Sequence, residues 1–199
     1  DLVRSRGLGD VYKRQVLVAA YDALDQAKQK NAALESQVAA ATRQYEQYAR
    51  TLGESDSRAV IRCGLESGIN FFDTAIGYQS GTSEQYLGRA LHEFTSRDNV
   101  IVASKFLPRT NEEIEAGISG QQHIEAMLNK SLENLGMNYV DLYIYHMWDY
   151  NTPLYDIMDG LNRIVKSGKA RYIGISNCLA WQLAKANALA EKEGFAKFI

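Results

Sequence analysis

The chain has 199 residues, 46% of them hydrophobic and 23% charged, with 22 Lys and Arg against 24 Asp and Glu for a formal net charge of −2. That much apolar material argues against wholesale disorder, and the balanced charge argues against a nucleic-acid binder driven by bulk positive charge. No apolar run approaches the roughly 20 residues of a membrane-spanning helix, so no membrane partner is expected.

Residues 1–15 have no initiator Met and no clean periodicity. The stretch RGLGDVYKRQ resembles translated sequencing-adapter read-through, and the segment is read as non-native. Gly7 and Gly9 do not complete a GxGxxG behind a strand, so no phosphate loop is expected there. The basic start running into Val16-Leu17-Val18-Ala19-Ala20 has the outline of a secretory leader. Its apolar stretch is short, however, and Asp22 and Asp25 follow at once, so a cytoplasmic protein is expected.

Residues 16–52 contain no Gly or Pro but ten Ala and five Gln, a composition that favours helix. Leu17, Leu24, Asn31, Val38, Tyr45 and Leu52 recur every seven residues, with Ala20, Ala27, Leu34, Ala41 and Tyr48 three positions after the first five. This is an a/d heptad seam with a polar Asn at one a position, pointing to a coiled coil or helical hairpin. The alternative is a single amphipathic helix lying on another surface.

From 53 onward short apolar runs alternate with amphipathic stretches. Helix is expected over Ser55–Ser67 with Gly68 as its stop, then strand over Ile69–Ala75 (INFFDTA) and helix over Ser83–Phe94. Strand follows over Val100–Phe106 (VIVASKF), then helix over Gln121–Leu135, where Ile124, Met127, Leu128, Leu132 and Leu135 keep helical spacing up to Gly136. Strand over Val140–His146 (VDLYIYH) leads to helix over Pro153–Ser167, with Pro in its first turn. Strand over Arg171–Ser176 and helix over Leu179–Glu193 complete the set, and Phe198-Ile199 begins a further strand. A helix followed by four strand–helix units reads as parallel β/α architecture. Cys63 and Cys178 are too few for a disulfide framework and match no zinc spacing, so two reduced core thiols and no metal site are expected.

Polar residues stand at the strand ends: Asp73 with Tyr78 in the loop beyond it, Lys105, His146, then Ser176 and Asn177. Parallel β/α proteins assemble their sites at the C-terminal strand ends. Taken singly, each has an ordinary reading: a turn cap for Asp73, a packed ring for Tyr78, an exposed strand-end lysine for Lys105, a satisfied core histidine for His146. His92 and His123, on helices, read as surface residues. Taken together, Asp, Tyr, Lys and His form an acid–base device. A tyrosine hydroxyl, with an ordinary pKa of about 10, is a feeble proton donor near neutrality. An ammonium beside a phenol stabilises phenolate, a carboxylate holds that ammonium in place, and an imidazole donates a hydrogen bond to a substrate oxygen. Such a group suits protonation of a carbonyl oxygen as hydride arrives at carbon.

These residues also carry a resemblance. Gly68-Ile-Asn-Phe-Phe-Asp73-Thr-Ala-Ile-Gly-Tyr78, with Ser83-Glu84 and Leu87-Gly88 after it, resembles the signature of the aldo-keto reductases. VIVASKF is similar to the family's lysine strand, and VDLYIYHMWD, with His146 and Asp149, to its histidine strand. GLNRIVKSGKARYIGISN is similar to the strand after that. The likeness runs from about Glu54 to Ile199 and looks closest to bacterial NADPH-dependent reductases with a GYQSGTSEQYLGRAL-type loop. It implies a (β/α)8 TIM barrel that uses NADP(H) without a Rossmann motif to reduce small-molecule aldehydes and ketones to alcohols. It further implies Tyr78 as general acid aided by Lys105 and Asp73, and His146 orienting the carbonyl. Ser176 and Asn177 would hold the nicotinamide carboxamide, with Asp73 beside the cofactor, and Trp148 would line the substrate pocket.

A closed barrel of this kind takes roughly 250 residues. For residues 53–199 the expected fold is therefore α/β, a partial TIM barrel of about four parallel strands with crossover helices, preceded by the long N-terminal helix. Four strands leave two exposed edges, which together with the 16–52 helix are routes to self-association. The chain by itself is expected to be weakly active or inactive. Two other classes stay open: a non-catalytic, nucleotide-binding regulatory barrel, which the complete set of four residues disfavours, and a coiled-coil adaptor acting through 16–52.

Overall fold

The computed structural model describes residues 23–38, 40 and 53–199, and the chain divides into two compact units between Thr51 and Leu52. In the first, helix α1 covers residues 23–38, with Leu24, Leu34 and Val38 exposed. Residues 1–15 and the remainder of the heptad segment lie outside the described residues. Among the described residues no helix is long and apolar enough to cross a membrane, and no group of His, Cys, Asp or Glu is placed to hold a metal ion.

The second unit is built from β/α repeats: α2 (Glu54–Glu66), β1 (Phe71–Asp73), α3 (Thr82–Phe94), β2 (Ile101–Phe106), the short α4 (Asn111–Glu115), α5 (Gly120–Leu135), β3 (Val140–Tyr145), α6 (Leu154–Lys166), β4 (Ala170–Ile175) and α7 (Ala180–Glu193). The four strands form one sheet in the order β1-β2-β3-β4, and every pairing is parallel. Phe198 makes a parallel bridge to Ile173 on the outer side of β4, so a fifth strand position begins there. The architecture is the expected partial barrel.

Strand alternation divides the sheet's side chains between two faces. Val102 and Phe106 of β2, Tyr143 and Tyr145 of β3 and Ile173 of β4 are buried in the main core, with Leu87 and Leu91 of α3 and Leu128 of α5. Leu161 of α6 and Ala186 of α7 join the same core. Phe106 stacks on Tyr143 at 4.8 Å and on Tyr145 at 4.6 Å between ring centroids. The other set, in register across the sheet, runs Phe71 and Asp73, Ile101 and Lys105, Leu142 and Ile144, then Tyr172 and Gly174. Phe71, Ile101 and Tyr172 on this inner face are exposed.

Two expectations fail here. Cys63 is exposed and Cys178 only half-buried, both as free thiols rather than core residues. The reason for Cys63 is its helix, since α2 fully buries none of its residues. His123 is buried rather than on the surface. It stands on α5 among Gly120, Ile124, Leu128, Ser131, Leu132 and Leu135, the buried stripe of that helix. There its Nδ1 lies 3.0 Å from Glu113 of α4 and its Nε2 2.8 Å from the Leu107 carbonyl.

α3 and α5 cross closely because Gly88 has no side chain: a Cβ there would stand 2.1 Å from the Leu135 carbonyl oxygen. That obstacle is backbone and cannot swing aside. Gly88→Ala is therefore expected to cost about 1–3 kcal/mol, the usual cost of overpacking a close contact. Urea unfolding measures it, and an unchanged midpoint would show that the two helices separate freely.

Candidate active site

The site is assembled by strand polarity. Asp73 is the last residue of β1, Lys105 the next to last of β2, and His146 and Ser176 follow β3 and β4 directly. The ladder continues past the strand ends: the His146 N–H donates to the Phe106 carbonyl at 2.9 Å, and the Ser176 N–H to the Tyr145 carbonyl at 2.9 Å. All four residues thus reach the C-terminal rim.

Lys105 is buried, and its Nζ donates to Asp73 Oδ1 at 2.5 Å and to the Thr74 carbonyl at 2.9 Å. The carboxylate side of the pair is open, with the Asp73 side chain 53% exposed. Tyr78 is carried over the pair by the loop after β1, pinned by Ile76 N–H to the Lys105 carbonyl at 3.0 Å and Tyr78 N–H to the Ala75 carbonyl at 3.0 Å. Gln79 and Ser80 then hold φ of 50° and 55°, and Gly81 φ of 90°. Two consecutive non-glycine residues in the left-handed region are uncommon and cost energy. They turn the chain sharply from Tyr78 into α3. Below the turn, buried Glu84 of α3 accepts from Ser104 Oγ at 2.5 Å and from Asn134 Nδ2 at 2.8 Å, fastening α3 to β2 and α5.

Lys105 Nζ lies 4.9 Å from the centroid of the Tyr78 ring. The ammonium thus meets Tyr78 through the ring, and its hydrogen bonds go to Asp73 and Thr74 rather than to the phenol. His146 meets the same ring edge-on, 5.9 Å between centroids at 76°. Asp73, Tyr78, Lys105 and His146 are one cluster.

Burial in the first place, and then the Lys105 charge, push the His146 pKa below the ordinary histidine value of 6.5; Asp73 opposes them. His146 is therefore neutral near pH 7 and has one N–H to donate. Because its folded value is depressed, its contribution to stability is full above the unfolded value and is lost as pH falls below it. Lys105→Met removes one of the two depressing causes. It should raise the His146 midpoint in an NMR titration of the imidazole signals, and a midpoint that stays put or falls would refute the coupling.

Asn177 adopts φ of 49°. Its Nδ2 donates to the His146 carbonyl at 2.7 Å, and its own carbonyl accepts from the Trp148 N–H at 3.4 Å. Ser176 is half-buried and Asn177 exposed at the same rim. Trp148 is half-buried in the loop after β3. That loop is fixed by Asp149, which accepts from Tyr145 Oη at 2.9 Å and from the Asn151 and Thr152 N–H groups at 2.7 and 3.1 Å. Burial opposes ionisation of Asp149, but these bonds and the Thr152 hydroxyl outweigh it and lower its pKa. Arg109 reaches Thr152 Oγ1 at 2.8 Å and the Ile118 carbonyl at 2.6 Å, tying the loop after β2 to the one after β3.

Sequence reasoning did not find Arg109, Thr152 or Trp181 at this rim. Asp149 with backbone N–H donors two and three residues later is an Asx-type turn, the one local signal available. Trp181, at the start of α7, faces Trp148 with ring centroids 6.4 Å apart.

The profile of the Aldo/keto reductase family matches residues 40–199. Norsolorinic acid reductase B of Aspergillus parasiticus is 33% identical over 168 residues, covering 76% of this chain and 44% of that protein. The aryl-alcohol dehydrogenase [NADP(+)] of Phanerodontia chrysosporium is 30% identical over 161 residues, covering 75% of this chain and 41% of that one. The crystal structure of an aldo/keto reductase from Klebsiella pneumoniae in complex with NADP and acetate superposes with a TM-score of 0.58 at 27% identity, over 68% of this chain and 44% of that chain. The chain spans less than half the length of the curated relatives it matches. With the family profile running over four-fifths of its residues, through all four strands and every residue of the rim cluster, this chain belongs to the aldo/keto reductase family.

Proposed function

We propose that the rim cluster reduces the carbonyl of a small aldehyde or ketone to an alcohol with NADPH. The observation that carries this reading is the convergence of the Asp73–Lys105 ion pair, the Tyr78 ring and the His146 imidazole from three successive strands. Tyr78 donates its proton to the carbonyl oxygen. The Lys105 ammonium, held by Asp73, stabilises the negative charge left on the phenol, and His146 donates a hydrogen bond that orients the carbonyl. The donor set suits a nicotinamide carboxamide: Ser176 brings a hydroxyl, and Asn177 a side-chain carbonyl while its NH2 bonds His146. Those two residues would hold the group, and when bound it supplies hydride to carbon.

The 199 residues alone should be a weak catalyst. Four strands form only part of the wall of an eight-stranded barrel, and a cofactor gripped on one side lies loosely. A misplacement of about 1 Å at the reacting atoms costs about a hundredfold. NADPH oxidation, followed by its absorbance with a carbonyl compound present and absent, tests both statements. Brisk carbonyl-dependent oxidation by the 199-residue chain would overturn the second. No oxidation by a polypeptide carrying this rim within a full-length barrel would overturn the first.

A further inference from the structure

We infer that Thr74 and Ser83 are a positioning pair whose hydroxyls close the loop carrying Tyr78 and so hold its phenol over the Asp73–Lys105 ion pair, an inference that rests on the reaction proposed above. Thr74 follows β1 directly and Ser83 stands in the first turn of α3, so residues 75–82 run between them. Their hydroxyl oxygens lie 2.9 Å apart, one donating to the other. Thr74 is buried and Ser83 half-buried, which shelters the bond from water that would compete for it.

Each polar group of Thr74 holds a different part of the site. Its N–H donates to the Ala103 carbonyl at 3.0 Å and continues the β1–β2 ladder. Its carbonyl accepts from Lys105 Nζ at 2.9 Å. Its hydroxyl reaches the start of α3. One residue thus sets both the ammonium and one end of the loop that brings the phenol to it. The other end is fastened by the residue after Ser83: Glu84 accepts from Ser104 Oγ at 2.5 Å, and Ser104 precedes Lys105 in β2. The helix start is thereby tied to β1 through Ser83 and to β2 through Glu84.

The loop needs such closure. The φ of 50° at Gln79 and 55° at Ser80 costs energy at two consecutive positions, and such strain persists only where the surroundings over-determine it. The Ile76 N–H on the Lys105 carbonyl and the Tyr78 N–H on the Ala75 carbonyl, each at 3.0 Å, hold the near side of the turn. Neither spans it. The Thr74–Ser83 bond does, joining the chain before Tyr78 to the chain beyond Ser80. Without it the strain relaxes by opening the loop, and the Tyr78 ring leaves its places 4.9 Å from Lys105 Nζ and 5.9 Å from the His146 ring.

The test reads the Tyr78 ring through its neighbour. In the 13C-labelled 199-residue protein the His146 imidazole signal, assigned by its loss in His146→Asn, carries the ring-current shift of Tyr78. Tyr78→Leu sets the value without that ring. In Thr74→Val the signal should move from the parent value toward that reference, and in Ser83→Ala by the same amount. The double variant should move it no further, because the two hydroxyls make one bond. Thr74→Ser, which keeps a hydroxyl, should restore the parent value. Should Thr74→Val fail to fold, Ser83→Ala at its half-buried position carries the test. In a polypeptide spanning the full length of the family, both single variants should lower kcat about three- to tenfold, the weight of one net hydrogen bond, with NADPH affinity unchanged. A His146 signal that stays at the parent value in Ser83→Ala, or shifts that add in the double variant, would overturn the pair. Tyr78→Phe separates this from the catalytic reading. If reduction fails to depend on Tyr78 while the signal moves as described, the pair stands as the closure of the loop and the proposed chemistry falls; if Tyr78-dependent reduction proceeds at the parent kcat in Ser83→Ala, the positioning role alone falls.

Discussion

Tyr78→Phe is expected to cut carbonyl reduction by about a hundredfold or more, the lower end of what a positioned general acid supplies, in a polypeptide spanning the full length of the family. NADPH affinity should stay nearly unchanged. The substitution removes one oxygen and keeps the ring, so the edge contact with His146 and the ammonium contact with Lys105 survive. The Asp73–Lys105 bond does not involve the phenol at all. What is lost is the proton that must reach the carbonyl oxygen as hydride reaches carbon. The signature is therefore a fall in kcat with little change in cofactor binding, the pattern of an interaction made in the transition state. The variant should unfold at the same urea concentration as the parent, since Tyr78 is 38% exposed and outside the core. Reduction at close to the parent rate would remove Tyr78 as proton donor. A large rise in the NADPH dissociation constant would show that the residue holds cofactor rather than moving a proton.

The sequence was legible where one periodicity ruled a whole element. β2 and β3 each sit between two partners, and there the apolar runs VIVASKF and VDLYIYH mark the strands to within a residue. β1 is an edge strand, and its boundaries shrink from the expected Ile69–Ala75 to Phe71–Asp73. The Ile69 N–H instead closes the end of α2 on the Gly64 carbonyl at 2.9 Å. α4 has five residues, set by a Thr110–Glu113 capping box in a polar loop, too short for any periodicity to announce it. The site divides the same way. Asp73, Lys105 and His146 were readable because strand polarity alone sends them to one rim. Tyr78 needed more, since its place depends on the left-handed turn at Gln79 and Ser80, where neither residue type advertises a positive φ. The facing of Trp148 and Trp181 was not readable, because it depends on how two loops from neighbouring repeats lie against each other.

Asp141→Ala should be the mirror image of Tyr78→Phe: a loss of about 3 kcal/mol or more of stability, the cost of stripping a buried ion pair of one partner, with the rim left intact. Asp141 is buried near the start of β3, at the end of the sheet opposite the rim. Its carboxylate accepts from Arg97 Nη2 at 2.6 Å, Arg171 Nη1 at 2.9 Å and the Val102 N–H at 2.9 Å. Three strands or their lead-ins are thereby joined at one group: Arg97 just before β2, Val102 within it, and Arg171 in β4. The two guanidinium carbons also lie over the Tyr139 ring, 4.0 and 4.4 Å from its centroid. Arg171 is the more exposed partner and keeps water when Asp141 is lost, so most of the cost falls on Arg97 and the Val102 N–H. Asp141→Asn retains an acceptor for Val102 without the charge, and should lose less than Asp141→Ala. The His146 titration midpoint should not move in either variant, because neither cause of its depression lies at this end of the sheet. Urea unfolding and the imidazole titration check the two statements separately. An unfolding midpoint unchanged in Asp141→Ala would show that the arginines find water as readily as they find Asp141. A shifted His146 midpoint would show that the two ends of the sheet are coupled through the strands.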